Sequence, residues 1–171
     1  WEGAISTYVT VMKDEDRYRM YYRGLGLKTP DLSEEQFTCY AESKDGVKWS
    51  KPSLGICDLK GSTDNNIVLT WREGEGKTRI PLTHNFVPFK DGNPNAPREE
   101  RYKAVAGGPI IGLASPDGIH WRRIREEPII NPYKKCERQG DYISLAFWDR
   151  EQSHYVAYVR GWRTSRSTVT Q

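Results

Sequence analysis

One motif occurs twice in this chain of 171 residues, and it constrains the fold more than any other feature of the sequence. The segment SKDGVKW at 43–49 is matched 72 residues later by SPDGIHW at 115–121, and the shared pattern is Ser-x-Asp-Gly-(Val/Ile)-x-Trp. Self-similarity at a fixed spacing is typical of repeat architectures, in which each repeat is one supersecondary unit. The chain is therefore expected to contain at least two copies of one small unit.

The residue types of this motif predict a tight hairpin. Asp-Gly is a favoured two-residue turn because glycine accepts a positive φ. The serine before it can hydrogen-bond the turn backbone, and the tryptophan of the return strand can pack its ring across the hairpin. We therefore assign Asp45 and Asp117 to turn formation rather than to catalysis.

A second element recurs three times, each time after an acidic, turn-like cluster: RYRMYYRG at 17–24, RYKAVAG at 101–107 and HYVAYVRG at 154–161. Near-alternation of apolar and polar residues around these clusters is typical of strands joined by a turn. Aligning the repeats gives a unit of four strands, A to D, with the Asp-Gly turn between C and D. The predicted strands are 5–12, 18–23, 38–43 and 48–52 in the first unit, 83–89, 102–106, 110–115 and 120–124 in the second, and 142–148 and 155–160 in the third.

Four-stranded units repeated radially are the mark of a β-propeller, so we predict an all-β propeller fold with about two and a half blades. The predicted organisation is a blade at 1–56, an inter-blade segment at 57–78, a blade at 79–130 and an incomplete blade at 141–171. A β-sandwich of similar strand count is the alternative, although it does not predict the same turn in each unit. Because a propeller needs at least about four blades to close, we expect remaining blades of the same protein, or a partner chain, to cover the open flanks.

The composition agrees with a folded β protein and excludes several functions. Tyr and Trp, 10 and 6 in number, supply large apolar surfaces, whereas 15 Gly and 10 Pro leave little room for a long helix. A net charge of +3 excludes the basic excess of a dedicated nucleic-acid binder, and no apolar run is long enough for a membrane-spanning helix. Cys39, Cys57 and Cys136 lack the spacing of a zinc site or a disulfide framework. We expect buried thiols, with a bond between Cys39 and Cys57 as the open alternative.

Several blocks of the chain resemble the glycosyl-hydrolase-like five-bladed β-propellers of bacteria, the superfamily that includes invertase, levansucrase and arabinanase. These blocks are WEG at 1–3, YRMYYRG at 18–24, CYAESKDG at 39–46, KPSLG at 51–55, NNIV at 65–68, HNF at 84–86, RYKA at 101–104 and AFWD at 146–149. The resemblance implies hydrolysis or transfer at glycosidic bonds of oligo- or polysaccharides in a secreted or periplasmic protein. It also implies a reaction that needs water but neither metal nor cofactor.

Glycoside hydrolysis needs two carboxyl groups across the scissile bond. In a propeller the first strand of each blade lines the central funnel, so polar groups at the starts of strands A are expected to converge there. The candidate catalytic carboxyls are Asp141, Glu2 and Asp91, and the candidate substrate-binding residues are His84, Asn85 and Ser144. Asp141 matches the acidic position that precedes AFWD in the family. Asp91 follows strand A of the second unit, where it is also suited to forming a turn.

We therefore expect a carbohydrate-active propeller that acts as a glycoside hydrolase through a carboxylate pair in its funnel. The alternative is a non-catalytic carbohydrate-binding or scaffold propeller. Two observations favour this alternative: Ile143 and Ser144 stand where the family has Gln and Asn, and the Asn-Asp-Pro, Arg-Asp-Pro and Glu-Cys signatures of the invertase branch are absent.

Overall fold

The computed structural model describes residues 7–25, 36–70, 82–130 and 144–159. Across these residues the chain forms ten β-strands in three antiparallel sheets, with a single turn of 3-10 helix at Arg98–Glu100. The strands are β1 (Thr7–Asp14), β2 (Arg17–Leu25), β3 (Gln36–Ser43), β4 (Ile67–Thr70), β5 (Val87–Lys90), β6 (Tyr102–Ala106), β7 (Ile111–Ser115), β8 (Arg122–Arg123), β9 (Leu145–Asp149) and β10 (His154–Tyr158). The prediction of an all-β protein is confirmed for this part of the chain. None of its helical segments is long and apolar enough to cross a membrane.

The first two sheets repeat one four-stranded arrangement. Their strand orders are β1-β2-β3-β4 and β5-β6-β7-β8, whereas the third sheet pairs β9 with β10 in the described residues. The repeat extends to register, because Tyr18 pairs with Ser43 in the first sheet and Tyr102 pairs with Ser115 in the second. The three antiparallel sheets are consistent with propeller-like blades.

Most strands lie where the sequence predicts them, but the fourth strand of the first sheet does not. The segment at 48–52 contacts β3 through one bridge, between Glu42 and Ser50, and β4 pairs with β3 instead. Pro52 has no N–H for a ladder, whereas β4 starts with three consecutive buried apolar residues. The prediction of strand D at 48–52 is therefore wrong, and the actual strand lies within the segment predicted to connect the blades.

The three sheets pack face to face through apolar clusters. Tyr21 and Tyr40 of the first sheet pack with Ile111 and Leu113 of the second, and Trp121 lies against this cluster. A separate cluster joins the second sheet to the third. A third cluster lies on the other face of the first sheet, where Trp49 and the segment that follows it cover the strands; it contains both Cys39 and Cys57 as buried thiols, as predicted. Cys136 lies outside the described residues.

The two Ser-x-Asp-Gly turns have matching hydrogen bonds, as predicted, but each loop is wider than the predicted two-residue hairpin turn, because the flanking pairs are Glu42 with Ser50 and Ala114 with Arg122. In each turn the serine Oγ accepts a hydrogen bond from the glycine N–H, at 2.9 Å in the first copy and 2.8 Å in the second. The aspartate Oδ1 accepts two more from the N–H groups that follow, at 2.8 and 2.8 Å and at 2.8 and 2.9 Å. Both glycines, Gly46 and Gly118, have a positive φ, 76° and 79°. Burial alone would raise the pKa of Asp117, but the hydrogen bonds from His120, Ile119 and Ser115 lower it to about 2. The two aspartates thus form turns.

Candidate functional site

The structure describes four of the six residues predicted for the site. Glu2 and Asp141 lie outside the described residues, so their catalytic roles stay predictions. His84 and Asn85 precede β5, and Ser144 is buried directly before β9. Asp91 directly follows β5 and therefore lies at the opposite end of that strand.

Polar side chains gather at the end of the first two sheets where β1 and β5 begin. The rings of Tyr8 and His84 lie 6.1 Å apart between centroids, and the Arg23 guanidinium lies 4.3 Å from the centroid of the Tyr8 ring. A narrow surface crevice lies here, which we call the strand-start crevice. Its lining residues are Tyr8, Tyr22, Arg23, Thr38, Thr83 and Phe86.

Three buried oxygens near this crevice lack hydrogen-bond partners among the described residues. They are the hydroxyl oxygens of Thr38 and Thr83, whose residues are 2% and 1% exposed, and the side-chain carbonyl oxygen of Asn85. A buried polar atom without a partner costs about 1–3 kcal/mol. Native structures rarely accept that cost without a reason, so these three oxygens are candidates for contact with a group from outside the described residues.

The backbone at this end is strained in an equivalent way in both sheets. Tyr8 and Asn85 have positive φ angles of 55° and 56°, a region that tyrosine rarely adopts and that asparagine tolerates better. Tyr8 lies six residues before Asp14, which ends β1, and Asn85 lies six residues before Asp91, which follows β5. Strain of this kind costs about 1–3 kcal/mol and is concentrated at functional sites.

Asp91 belongs to a different cluster, which links the second sheet to the third. Its carboxylate accepts hydrogen bonds from Lys103 Nζ at 2.6 Å and from the Tyr155 hydroxyl at 2.7 Å, and its side chain is fully buried. It also accepts the N–H of Asn93 at 2.9 Å, which is the turn-forming role that the sequence suggested as an alternative. The catalytic role of Asp91 stays a prediction.

The same arrangement links the first sheet to the second. Asp14, at the end of β1, lies 2.6 Å from Arg19 Nε and accepts a hydrogen bond from the Tyr102 hydroxyl at 2.7 Å. Lys90 adds a third contact at 2.6 Å. Burial alone would raise the pKa of Asp14, but the hydrogen bonds from Lys90 and Tyr102 and the charge of Arg19 hold it below its usual value. A carboxylate held ionised in this way serves as a structural anchor.

These carboxylate–cation–tyrosine clusters were not predicted, although the sequence contains a signal for them. An aspartate precedes each copy of the recurring element, and the three are Asp14, Asp91 and Asp149. Each of them lies opposite the residue that comes just before the tyrosine of that copy. The tyrosine itself recurs as Tyr18, Tyr102 and Tyr155. Only the packing of the sheets shows that Tyr102 and Tyr155 bind the aspartates of the preceding sheets.

No group of three or more His, Cys, Asp or Glu side chains in the described ranges could hold a metal ion. Comparisons of the chain with protein-family models, curated proteins and solved structures found no match. The functional interpretation therefore depends on the sequence blocks and on the geometry of the strand-start crevice.

Proposed function

We propose that this chain is part of a carbohydrate-active β-propeller of the five-bladed, glycoside hydrolase-like type, whose substrates are oligo- or polysaccharides. The observation that carries the proposal is the strand-start crevice, where buried oxygens without partners lie beside an aromatic ring and a guanidinium group. Ligand sites combine apolar walls with a few convergent polar groups in this way.

The chemistry of the crevice fits a sugar. Threonine hydroxyls both donate and accept hydrogen bonds, so Thr38 and Thr83, which line the crevice, can pair with sugar hydroxyls. Tyr8 offers a ring with an apolar face and a polar edge. The crevice is too narrow to admit a sugar ring, so the sugar would bind across its mouth.

The spacing of the repeat supports the proposal that Asp141 belongs to the same end of the sheets as the strand-start crevice. Thr83 lies eight residues before Asp91, and Asp141 lies eight residues before Asp149, which is the equivalent of Asp91. Asp141 therefore takes the repeat position of Thr83, whose hydroxyl lines the crevice. In the proposed reaction Asp141 and Glu2 are the carboxyl pair: one protonates the leaving oxygen, and the other acts as nucleophile or activates water.

Activity assays on fructan, arabinan and galactan oligosaccharides test the catalytic half of the proposal. Wild type is expected to hydrolyse one of these substrates, and Asp141→Asn is expected to lose turnover while it still binds. Equal turnover in the two proteins would show that Asp141 has no catalytic role. Binding by both without turnover by either would support the non-catalytic alternative.

Thr83→Val tests the crevice independently of catalysis. Loss of one hydrogen bond is expected to weaken glycan binding about 2- to 12-fold, whereas removing an unpartnered buried hydroxyl leaves the folded protein equally or more stable. Thr63→Val, at an exposed position outside the crevice, is the control. Unchanged binding together with a lower melting temperature for Thr83→Val would mean that the hydroxyl is structural.

A further inference from the structure

The first strand contains a β-bulge near its beginning, next to the strand-start crevice. Two residues of β1, Tyr8 and Val9, lie opposite one residue of β2, Tyr22. The pairs that flank the bulge and fix this register are Thr7 with Arg23 and Thr10 with Tyr21. Tyr8 has a φ of 55°, a conformation that glycine usually supplies in bulges of this kind. Bulges are over-represented next to active sites, where they re-aim a side chain, and Tyr8 lines the crevice.

The second sheet has the same irregularity, but with a residue that tolerates it better. The register of β5 with β6 would place Gly107 opposite Asn85, yet the Gly107 N–H donates to the His84 carbonyl at 2.6 Å. Asn85 takes the same conformation as Tyr8, with a φ of 56°. Asparagine can visit this region because its short polar side chain can hydrogen-bond locally. Tyr8 is therefore not the kind of residue that the bulge itself favours.

The surroundings of the Tyr8 ring suit contact with a sugar. The Arg23 guanidinium lies 4.3 Å from the ring centroid, and the ring of His84 lies 6.1 Å away with a tilt of 50°. Tyr8 is only half-buried, and the threonines Thr38 and Thr83 line the same crevice. A sugar ring has C–H groups on its faces and hydroxyl groups around its rim, so an aromatic ring next to two hydroxyl groups is complementary to it.

We propose that Tyr8 is a substrate-contacting residue, and that its strained backbone is retained for the ring that it presents at the crevice. The inference rests on the proposed function, because the ligand is a sugar residue of the same glycan. The C–H face of this sugar contacts the Tyr8 ring, while its hydroxyl groups reach Thr38 and Thr83 across the mouth of the crevice.

This role implies that the chain loses stability at Tyr8 and gains binding. In the left-handed region the Cβ atom lies close to the following carbonyl oxygen, and tyrosine has no short polar side chain to compensate through a local hydrogen bond. Proteins retain strained residues at sites where activity needs them, and they are less stable as a result. A residue that suits the bulge better is therefore expected to maintain or raise the stability of the fold and to weaken binding.

Tyr8→Asn tests the proposal, because it gives the first sheet the residue that the second sheet has at the equivalent position. Isothermal titration calorimetry with fructan, arabinan and galactan oligosaccharides measures binding, and thermal unfolding measures stability. Contact with one ring face buries roughly 40–80 Å² of apolar surface, so Tyr8→Asn is expected to bind about 5- to 30-fold more weakly than wild type. Its melting temperature is expected to equal or exceed that of wild type, because asparagine tolerates the positive φ.

Two further variants separate the ring from the backbone. Ser153→Asn introduces asparagine at an exposed turn residue with a φ of 53°, and it is expected to bind like wild type. Tyr8→Phe keeps the ring face, and it is expected to bind more tightly than Tyr8→Asn.

The outcomes distinguish this inference from the proposed function. Equal binding by wild type and Tyr8→Asn overturns the inference and leaves the proposed function standing. A melting temperature of Tyr8→Asn clearly below that of wild type also overturns it, because the ring would then stabilise the fold. Binding by Tyr8→Phe as weak as that of Tyr8→Asn overturns the contact with the ring face. A wild type that binds none of the three glycans overturns the proposed function, and the inference with it.

Discussion

Replacing Asp14 by Asn is expected to destabilise the fold severely, although the change removes only one charge. The Asp14 side chain is 4% exposed and that of Arg19 is 14% exposed, so the substitution leaves a largely buried guanidinium without its carboxylate. Removing one partner of a buried ion pair typically costs about 3–5 kcal/mol. The Tyr102 hydroxyl and Lys90 lose a charged acceptor at the same time.

Asp16→Asn is the matched control, because it makes the same chemical change two residues away at an exposed position. Asp16 forms an ion pair with Arg17 at 3.4 Å, and its side chain is 77% exposed. Exposed pairs contribute about 0–1 kcal/mol, so this variant is expected to unfold close to wild type. Urea unfolding followed by tryptophan fluorescence gives the free energy of unfolding for all three proteins.

The pH dependence identifies the charge as the cause. The pKa of Asp14 is lowered in the folded protein, so its carboxylate stabilises the fold above the pKa of the unfolded chain, about 4. This contribution is lost as the pH falls through the lowered folded pKa. The stability difference between wild type and Asp14→Asn is therefore expected to narrow below about pH 4. Equal costs for the Asp14 and Asp16 variants, or a difference independent of pH, would show that the Asp14 carboxylate does not stabilise the fold through its charge.

Two further predictions test the repeated turn. Gly118→Ala and Gly46→Ala place alanine at similar positive φ angles, but a Cβ on Gly118 also lies 2.7 Å from the Tyr21 hydroxyl oxygen. Gly118→Ala is therefore expected to cost about 1–3 kcal/mol more stability than Gly46→Ala in thermal unfolding. Equal costs would argue against the inter-sheet contact. Ser43→Ala and Ser115→Ala each remove the same set of turn hydrogen bonds and are expected to lose similar stability, about 1–3 kcal/mol, in urea unfolding. A large difference between the two serine variants would mean that the turns are not equivalent.

Local sequence information predicted the repeated parts of the fold well. The second strand of the second unit lies at Tyr102–Ala106, as predicted, because alternation and the flanking turns are both encoded nearby. The Asp-Gly turns are similarly local, since the serine and aspartate side chains that form them bind N–H groups within the motif. Such features depend little on contacts with residues that are distant in the sequence.

The fourth strand of the first sheet was misplaced because its position depends on distant residues. Asn66 donates to the Tyr40 carbonyl at 2.7 Å and to the Tyr22 hydroxyl oxygen at 2.9 Å, which fixes the chain next to β3 just before β4 begins. Nothing in the spacing of the sequence indicates which apolar segment will pair with β3.

The predicted site residues stay predictions. Of these residues, His84 lies beside Tyr8, where β1 and β5 begin. Thr38 and Thr83 were missed, because threonine is common in strands and only burial without a partner distinguishes these two.

The proposed sugar site can be located by nuclear magnetic resonance on the isotope-labelled chain. Titration with the oligosaccharide that binds best in the activity screen is expected to give saturable shift changes that are largest at the amides of Tyr8, Thr38 and Thr83. The charged cavity of about 400 Å³ lined by Asp16 and Glu42, at the opposite end of β1, should show none. Saturable shifts confined to that cavity, or no saturable shift with any of the three glycans, would contradict the account.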